Sequence, residues 1–290
     1  MSGPCNRSRL RGSLLLGILL AAALTSLVLA LSLAALAAIQ REARDAEHRL
    51  SRRQDARWAA RELARDLLRH GRFGCGVRPW QAGDFAAGAW HLRLPGRELE
   101  IGRVRHDAAG RLEAVELAGP APGIWRSWPR LWLGDCGSAR ELGGKDAYWR
   151  GEAAAPTLRL TPALPVSPAD DGVHLPSLQL WLPRERRYRL AAGGRAYQLL
   201  VRERDGGPAD GEERLLLDGV HSLSLQLLVA DGCGETARWS WRAPSDLRSG
   251  RPPQAARLGL AWYAGRGEDE VDRLSHDLAL EPAYACREAS

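Results

Sequence analysis

The sequence predicts an α+β protein in which one long N-terminal helix packs on an antiparallel β-sheet head. Three observations carry that reading. Residues 14–39 form an apolar run with no charge and no proline. Residues 40–70 follow with no glycine or proline and are rich in Ala, Arg, Glu and Leu, all good helix formers. From Gly71 onward the chain breaks into short segments separated by Gly, Pro and Asp. The clearest of these alternates Leu223, Leu225 and Leu227 with Ser222, Ser224 and Gln226, the period of a half-buried strand.

Taken in order, residues 1–12 are a basic leader carrying Arg7, Arg9 and Arg11. Residues 13–40 are the membrane-spanning half of the helix. The 26 residues of 14–39 would extend about 39 Å, enough to cross a hydrocarbon core of about 30 Å with some tilt. That run exceeds the apolar region of a cleaved signal peptide, so the anchor is expected to be retained. Cys5 lies before the run and so cannot be the acylated residue of a lipoprotein. Arginines ahead of the span favour a cytoplasmic N-terminus, which puts the rest of the chain outside, on a single-pass inner-membrane anchor with a periplasmic head.

Residues 41–71 are the amphipathic half of the same helix. Ala60, Leu63, Ala64, Leu67 and Leu68 recur at i, i+3, i+4, i+7 and i+8, and Gly71 supplies a C-cap. One continuous helix from about Ser13 to about His70 is therefore expected, with the Ala60, Leu63, Leu67 and Leu68 face against the sheet. Residues 72–290 form the β-rich head, with strands expected at 89–94, 99–105, 111–117, 131–133, 157–160, 178–182, 187–191, 196–203, 219–230, 237–242 and 256–263. Loops fall at 119–123, 162–172, 205–211 and 245–253, and 162–172 is the best internal boundary.

Composition narrows function mainly by exclusion. The chain has a net charge of +6, with Lys145 its only lysine. Basic and acidic residues interleave over 41–72, and no nucleic-acid motif accompanies the charge, so no nucleic-acid partner is expected. Four cysteines follow the anchor (Cys75, Cys136, Cys233 and Cys286), an even number suited to two disulfides in an oxidising compartment, with three pairings open. No C-x-x-C pair exists, so no metal site is expected there. The seven histidines are dispersed and no catalytic motif is present, so neither a catalytic residue nor a cofactor is assigned. The acidic residues Glu268, Asp269, Glu270 and Asp272 lack the order of a calcium loop and read as a solvated loop. Trp125, Trp128 and Trp132 are a local concentration, either core or partner surface.

Several segments together resemble a known family. Residues 60–75 (Ala-Arg-Glu-Leu-Ala-Arg-Asp-Leu-Leu-Arg-His-Gly-Arg-Phe-Gly-Cys) are similar to the end of the first helix in PilW-type minor pilins. Leu131-Trp132-Leu133-Gly134-Asp135-Cys136 resembles that family's Asp-Cys strand, and Leu215-Leu216-Leu217-Asp218-Gly219-Val220 its hairpin. The matches fall in the family's order. The resemblance implies a pilin-like fold and a non-enzymatic subunit that primes or caps type IV pilus assembly with other minor pilins and the assembly machinery. A type II secretion pseudopilin, or an exported single-pass binding protein or enzyme, is the alternative. It also implies cleavage between Gly12 and Ser13 by a prepilin peptidase, and pairing of Cys75 with Cys136 and of Cys233 with Cys286. In one respect the chain departs from the family: the fifth mature position, usually Glu, is Gly17.

Overall fold

The computed structural model describes residues 7–74, 76–78, 80–85, 88–120, 130–136, 139–152, 154, 156–166, 175–194, 196–205, 211–231, 237–247, 253–264 and 270–280. For residues 7–15, 76, 77 and 183 only the backbone is described. Helix α1 runs unbroken over Arg7–Arg69, 63 residues, and so includes the described part of the basic leader as well as the segment expected from Ser13. The chain divides into two units, Met1–Gln54 and Asp55–Ser290, so the boundary falls within the helix and not at 162–172.

In the first unit the large apolar residues from Leu16 to Ile39 are exposed to solvent. Thr25, Ser26 and Ser32 return their hydroxyls to carbonyls three or four residues back, which satisfies them without a partner. This helix is long and apolar enough to cross a membrane.

In the second unit the helix buries Ala56, Ala59, Ala60, Leu63, Ala64 and Leu67. Leu68, placed on this stripe by its spacing, is 36% exposed, and the true stripe lies one turn earlier because Ala56 and Ala59 share the face of Leu63. The helix closes with the His70 N–H on the Leu67 carbonyl, and Gly71 follows at φ +74. A Cβ on Gly71 would lie 2.7 Å from the Arg78 carbonyl oxygen, so glycine is required twice over, by conformation and by space.

The strands are β1 (Arg72–Phe73), β2 (Gly76–Val77), β3 (Ala89–Leu99), β4 (Ile101–His106), β5 (Leu112–Leu117), β6 (Arg130–Gly134), β7 (Ala139–Gly143), β8 (Ala147–Arg150), β9 (Thr157–Leu164), β10 (Gln179–Gly193), β11 (Ala196–Asp205), β12 (Glu213–Asp231), β13 (Arg238–Arg242), β14 (Ala255–Tyr263) and β15 (Val271–Ala279). A nine-stranded sheet has the order β15-β14-β12-β11-β10-β6-β7, with β13 added to β12 and β3 to β10. A four-stranded sheet has the order β4-β5-β9-β8, and β1 pairs with β2. Among the described residues the strand pairings are all antiparallel. The fold is thus α+β, with a long apolar N-terminal helix and antiparallel sheets.

Two apolar cores result. One joins the helix face to β3, β10, β11, β12 and β14 through Leu63, Leu67, Leu92, Tyr188, Leu199, Leu227 and Leu258. The other joins the four-stranded sheet to β6 and the start of β10 through Leu112, Val115, Leu158, Leu133 and Leu180.

The structure corrects several expected boundaries. Segments 178–182 and 187–191 are one strand, β10, because the charged residues between them pair along their whole length with β3 and β11. Strands β7, β8 and β15 were not expected from their mixed polar sequences, and each is an edge strand whose ladder a neighbour imposes. Within the expected loop 162–172, β9 continues through Leu164.

Candidate functional site

Two features of the structure could carry function: the exposed apolar helix, and a buried polar assembly where the helix meets the sheet. The assembly begins with Glu62 and Asp66, which stand one helical turn apart on the buried face and are 7% and 1% exposed. Opposite them, Arg186 and Tyr188 alternate along β10 and so point to the same face of the sheet.

Arg186 donates from Nη1 to Glu62 Oε1 at 2.9 Å and to Asp66 Oδ2 at 2.8 Å, and from Nε to Glu203 Oε2 at 2.8 Å. The Tyr188 hydroxyl donates to Asp66 Oδ2 at 2.6 Å. Arg214 reaches Glu62 at 2.5 Å and lies 5.9 Å over the Trp58 ring, while Arg184 closes on Glu203. Burial alone would lower the Arg186 pKa, but the hydrogen bond and charge of Asp66 outweigh it and raise it. Burial and the Asp66 carboxylate together push the Tyr188 phenol up, so the hydroxyl keeps its proton and stays a donor.

A second cluster sits at the helix end. The Arg93 backbone N–H donates to His70 Nδ1 at 2.9 Å, which leaves the imidazole proton on Nε2, facing Asp84 Oδ2 at 3.3 Å. Arg78 donates to the same carboxylate at 2.9 Å, and Arg93 Nη1 lies 3.3 Å from its other oxygen. Burial works against ionisation of Asp84, but the hydrogen bonds and charges of His70 and Arg78 hold its carboxyl well below the ordinary range. Burial pushes His70 below its ordinary value in spite of Asp84. Both ring nitrogens are engaged and the side chain is fully buried, so this His–Asp pair is a joint rather than a proton-transfer site.

That arrangement sets a pH dependence. The unfolded chain takes up a proton at His70 near its ordinary value of 6.5, which the folded state refuses. Stability from this group is therefore complete above that value and is lost as pH falls below it, at up to about 1.4 kcal/mol per pH unit. His91, also lowered by burial and by Arg187, titrates in the same direction. Thermal melts between about pH 7 and about pH 5 should thus show a slope that flattens, without vanishing, in His70→Asn. An unchanged slope would remove His70 from the account.

The residues singled out by sequence are distributed otherwise. Gly12 and Ser13 lie inside α1. Gly17 is exposed, and a Cβ there would meet nothing within 4 Å. Cys136 directly follows the Gly134-Asp135 end of β6; its N–H donates to Ser177 Oγ at 3.2 Å, and it is disulfide-bonded. Its partner lies outside the described residues, as do Cys75, Cys233 and Cys286 and the expected pairings among them. Trp132 is buried and stacks on Phe73 at 4.4 Å and 7°, which makes it core. Trp125, Trp128, Glu268 and Asp269 are outside the described residues. Among the described residues no group of three or more His, Cys, Asp or Glu could hold a metal ion.

The structure brings Glu62, Asp66, Arg186 and Tyr188 together, and the sequence reading missed all four. The available signal was a pair of carboxylates spaced i, i+4 inside an apolar stripe, which calls for buried cationic partners. Comparison of the chain with protein-family models, curated proteins and solved structures gives no match.

Proposed function

We propose that this protein is a PilW-like minor pilin, a non-enzymatic subunit anchored in the inner membrane whose head folds in the periplasm and joins other minor pilins to prime or cap a type IV pilus. The observation that carries the reading is the continuity of α1: one helix holds an exposed apolar half and, without a break, a half whose buried face packs on an antiparallel sheet. A generic membrane anchor needs no such continuity. A pilin-like subunit uses it, because assembly moves the apolar half from lipid into a bundle of like helices while the head keeps its place on the helix end.

The charge network supports this role. A purely apolar helix face can slide or rotate on a sheet at modest cost, whereas Glu62 and Asp66 meet Arg186 and Tyr188 in one register only. A buried ion pair is weak evidence of net stability, and setting register is its best-attested use. Here they fix the rotation of the helix end on the sheet, which a subunit packed helically among neighbours requires.

The test is the N-terminus of the protein made in a strain with an active prepilin peptidase. A mature chain starting at Ser13, and retention of the leader in Gly12→Val, are expected. An unprocessed N-terminus in the presence of the peptidase would overturn assembly as a pilin. The leader's arginines would have to enter hydrocarbon for an uncleaved subunit to leave the bilayer.

A further inference from the structure

The face of the nine-stranded sheet opposite the helix changes character toward β13. Residues paired across the ladders share a face, so Trp241 stands beside Leu228, and Trp239 beside Ala230. Leu227 and Ala256, one position along, are fully buried, which places the two tryptophans on the outer side. Trp239 is 53% exposed. Being two apart on one strand, the indoles are set about 7 Å apart along it, on the scale of a single sugar ring.

Next to them lies a fixed polar group. Arg257 donates from Nε and Nη2 to the two oxygens of Asp277 at 2.7 and 2.8 Å, and its guanidinium lies 4.3 Å over the Trp241 ring. Stacking and the bidentate pair together hold Arg257 flat, with Nη1 outside that pair and the Asp277 side chain 57% exposed. Gln226 is paired in register with Arg257 and exposed. Farther along, Ser224 stands opposite Gly259, where a Cβ would come within 2.4 Å of the Ser224 hydroxyl. Glycine therefore keeps this part of the face level.

We propose that this outer face is a binding platform for a neutral, β-linked pyranose chain, stacked on Trp239 and hydrogen-bonded by the Arg257–Asp277 pair and Gln226. A pyranose has an apolar C–H face that suits an exposed indole and a rim of hydroxyls that suits donors and acceptors held side by side. The platform's central charges neutralise each other, so it matches an uncharged ligand rather than a polyanion. Beside the indole, the small residues Ser224 and Gly259 leave room along the face for an extended chain.

The experiment is isothermal titration of the full chain with chitohexaose and with cellohexaose, in a zwitterionic detergent so that no sugar-headed detergent competes. Binding of at least one probe, little changed between low and high salt, is expected. Trp239→Ala and Asp277→Asn should each weaken it by about tenfold with unchanged thermal unfolding, while Trp239→Phe retains most of it. Trp58→Ala, an equally exposed indole on the helix, should leave it intact. Absence of binding to both probes, equal loss in Trp58→Ala, or collapse of binding in high salt would overturn the proposal. So would an effect of Trp239→Ala on self-association alone, which would make the face a protein interface.

Discussion

Arg186→Met is expected to destabilise the head by about 3–5 kcal/mol. The cause is not the lost attraction itself. Glu62 and Asp66 are almost fully buried, and removing the guanidinium between them leaves two carboxylates in the core, Glu62 with Arg214 and Asp66 with the Tyr188 hydroxyl and the Arg65 guanidinium at 3.8 Å. Urea denaturation of the full chain in detergent should show the midpoint falling with the slope unchanged. Tyr188→Phe should cost less, about 1–3 kcal/mol, because Asp66 keeps Arg186. Adding Glu62→Gln and Asp66→Asn to Arg186→Met should recover a large part of the loss. Additive losses in the triple variant would show that the groups do not act as one network.

Loss of the disulfide at Cys136 comes next. Cys136→Ser should destabilise the head by about 4 kcal/mol if the bond closes the loop back to Cys75, as the chain-entropy account gives for a loop of that length. Described residues flanking both positions are neighbours. Phe73 stacks on Trp132, a Cβ on Gly74 would collide with the Gln179 side chain, and Gln179 pairs with Gly134. Non-reducing peptide mapping is expected to link Cys136 to Cys75. A link to Cys233 or Cys286 would refute the pairing, and Cys75→Ser would then leave the Cys136 bond in place.

The two halves of the helix were legible in the sequence for different reasons. The apolar run announces itself by length and absence of charge, and needs no partner to be recognised. The amphipathic half announces itself by periodicity, which located Ala60, Leu63, Ala64 and Leu67 correctly and erred at Leu68, where spacing alone cannot tell the rim of a stripe from its centre. Strands with alternating apolar residues, such as β12 around Leu225 and Leu227, were equally legible. The edge strands β7, β8 and β15 were not, although β4 and β13, also with one ladder each among the described residues, were. Nothing in the sequence of β15 alternates strongly, and its nine residues are extended because β14 presents an open ladder.

The long apolar helix, its amphipathic continuation and the alternation that marks a half-buried strand could all be read from the sequence, because each is a pattern among residues a few positions apart. Which polar groups meet, by contrast, is set by the fold. Glu62 and Asp66 find Arg186 and Tyr188 more than 100 residues away, His70 receives the Arg93 N–H from a strand edge, and Arg257 lies on Trp241 from the far side of β12. The physical reason is that a polar side chain in water reveals no preference for a partner. Burial makes the choice, because only inside the fold does an unpaired charge become costly enough to select one.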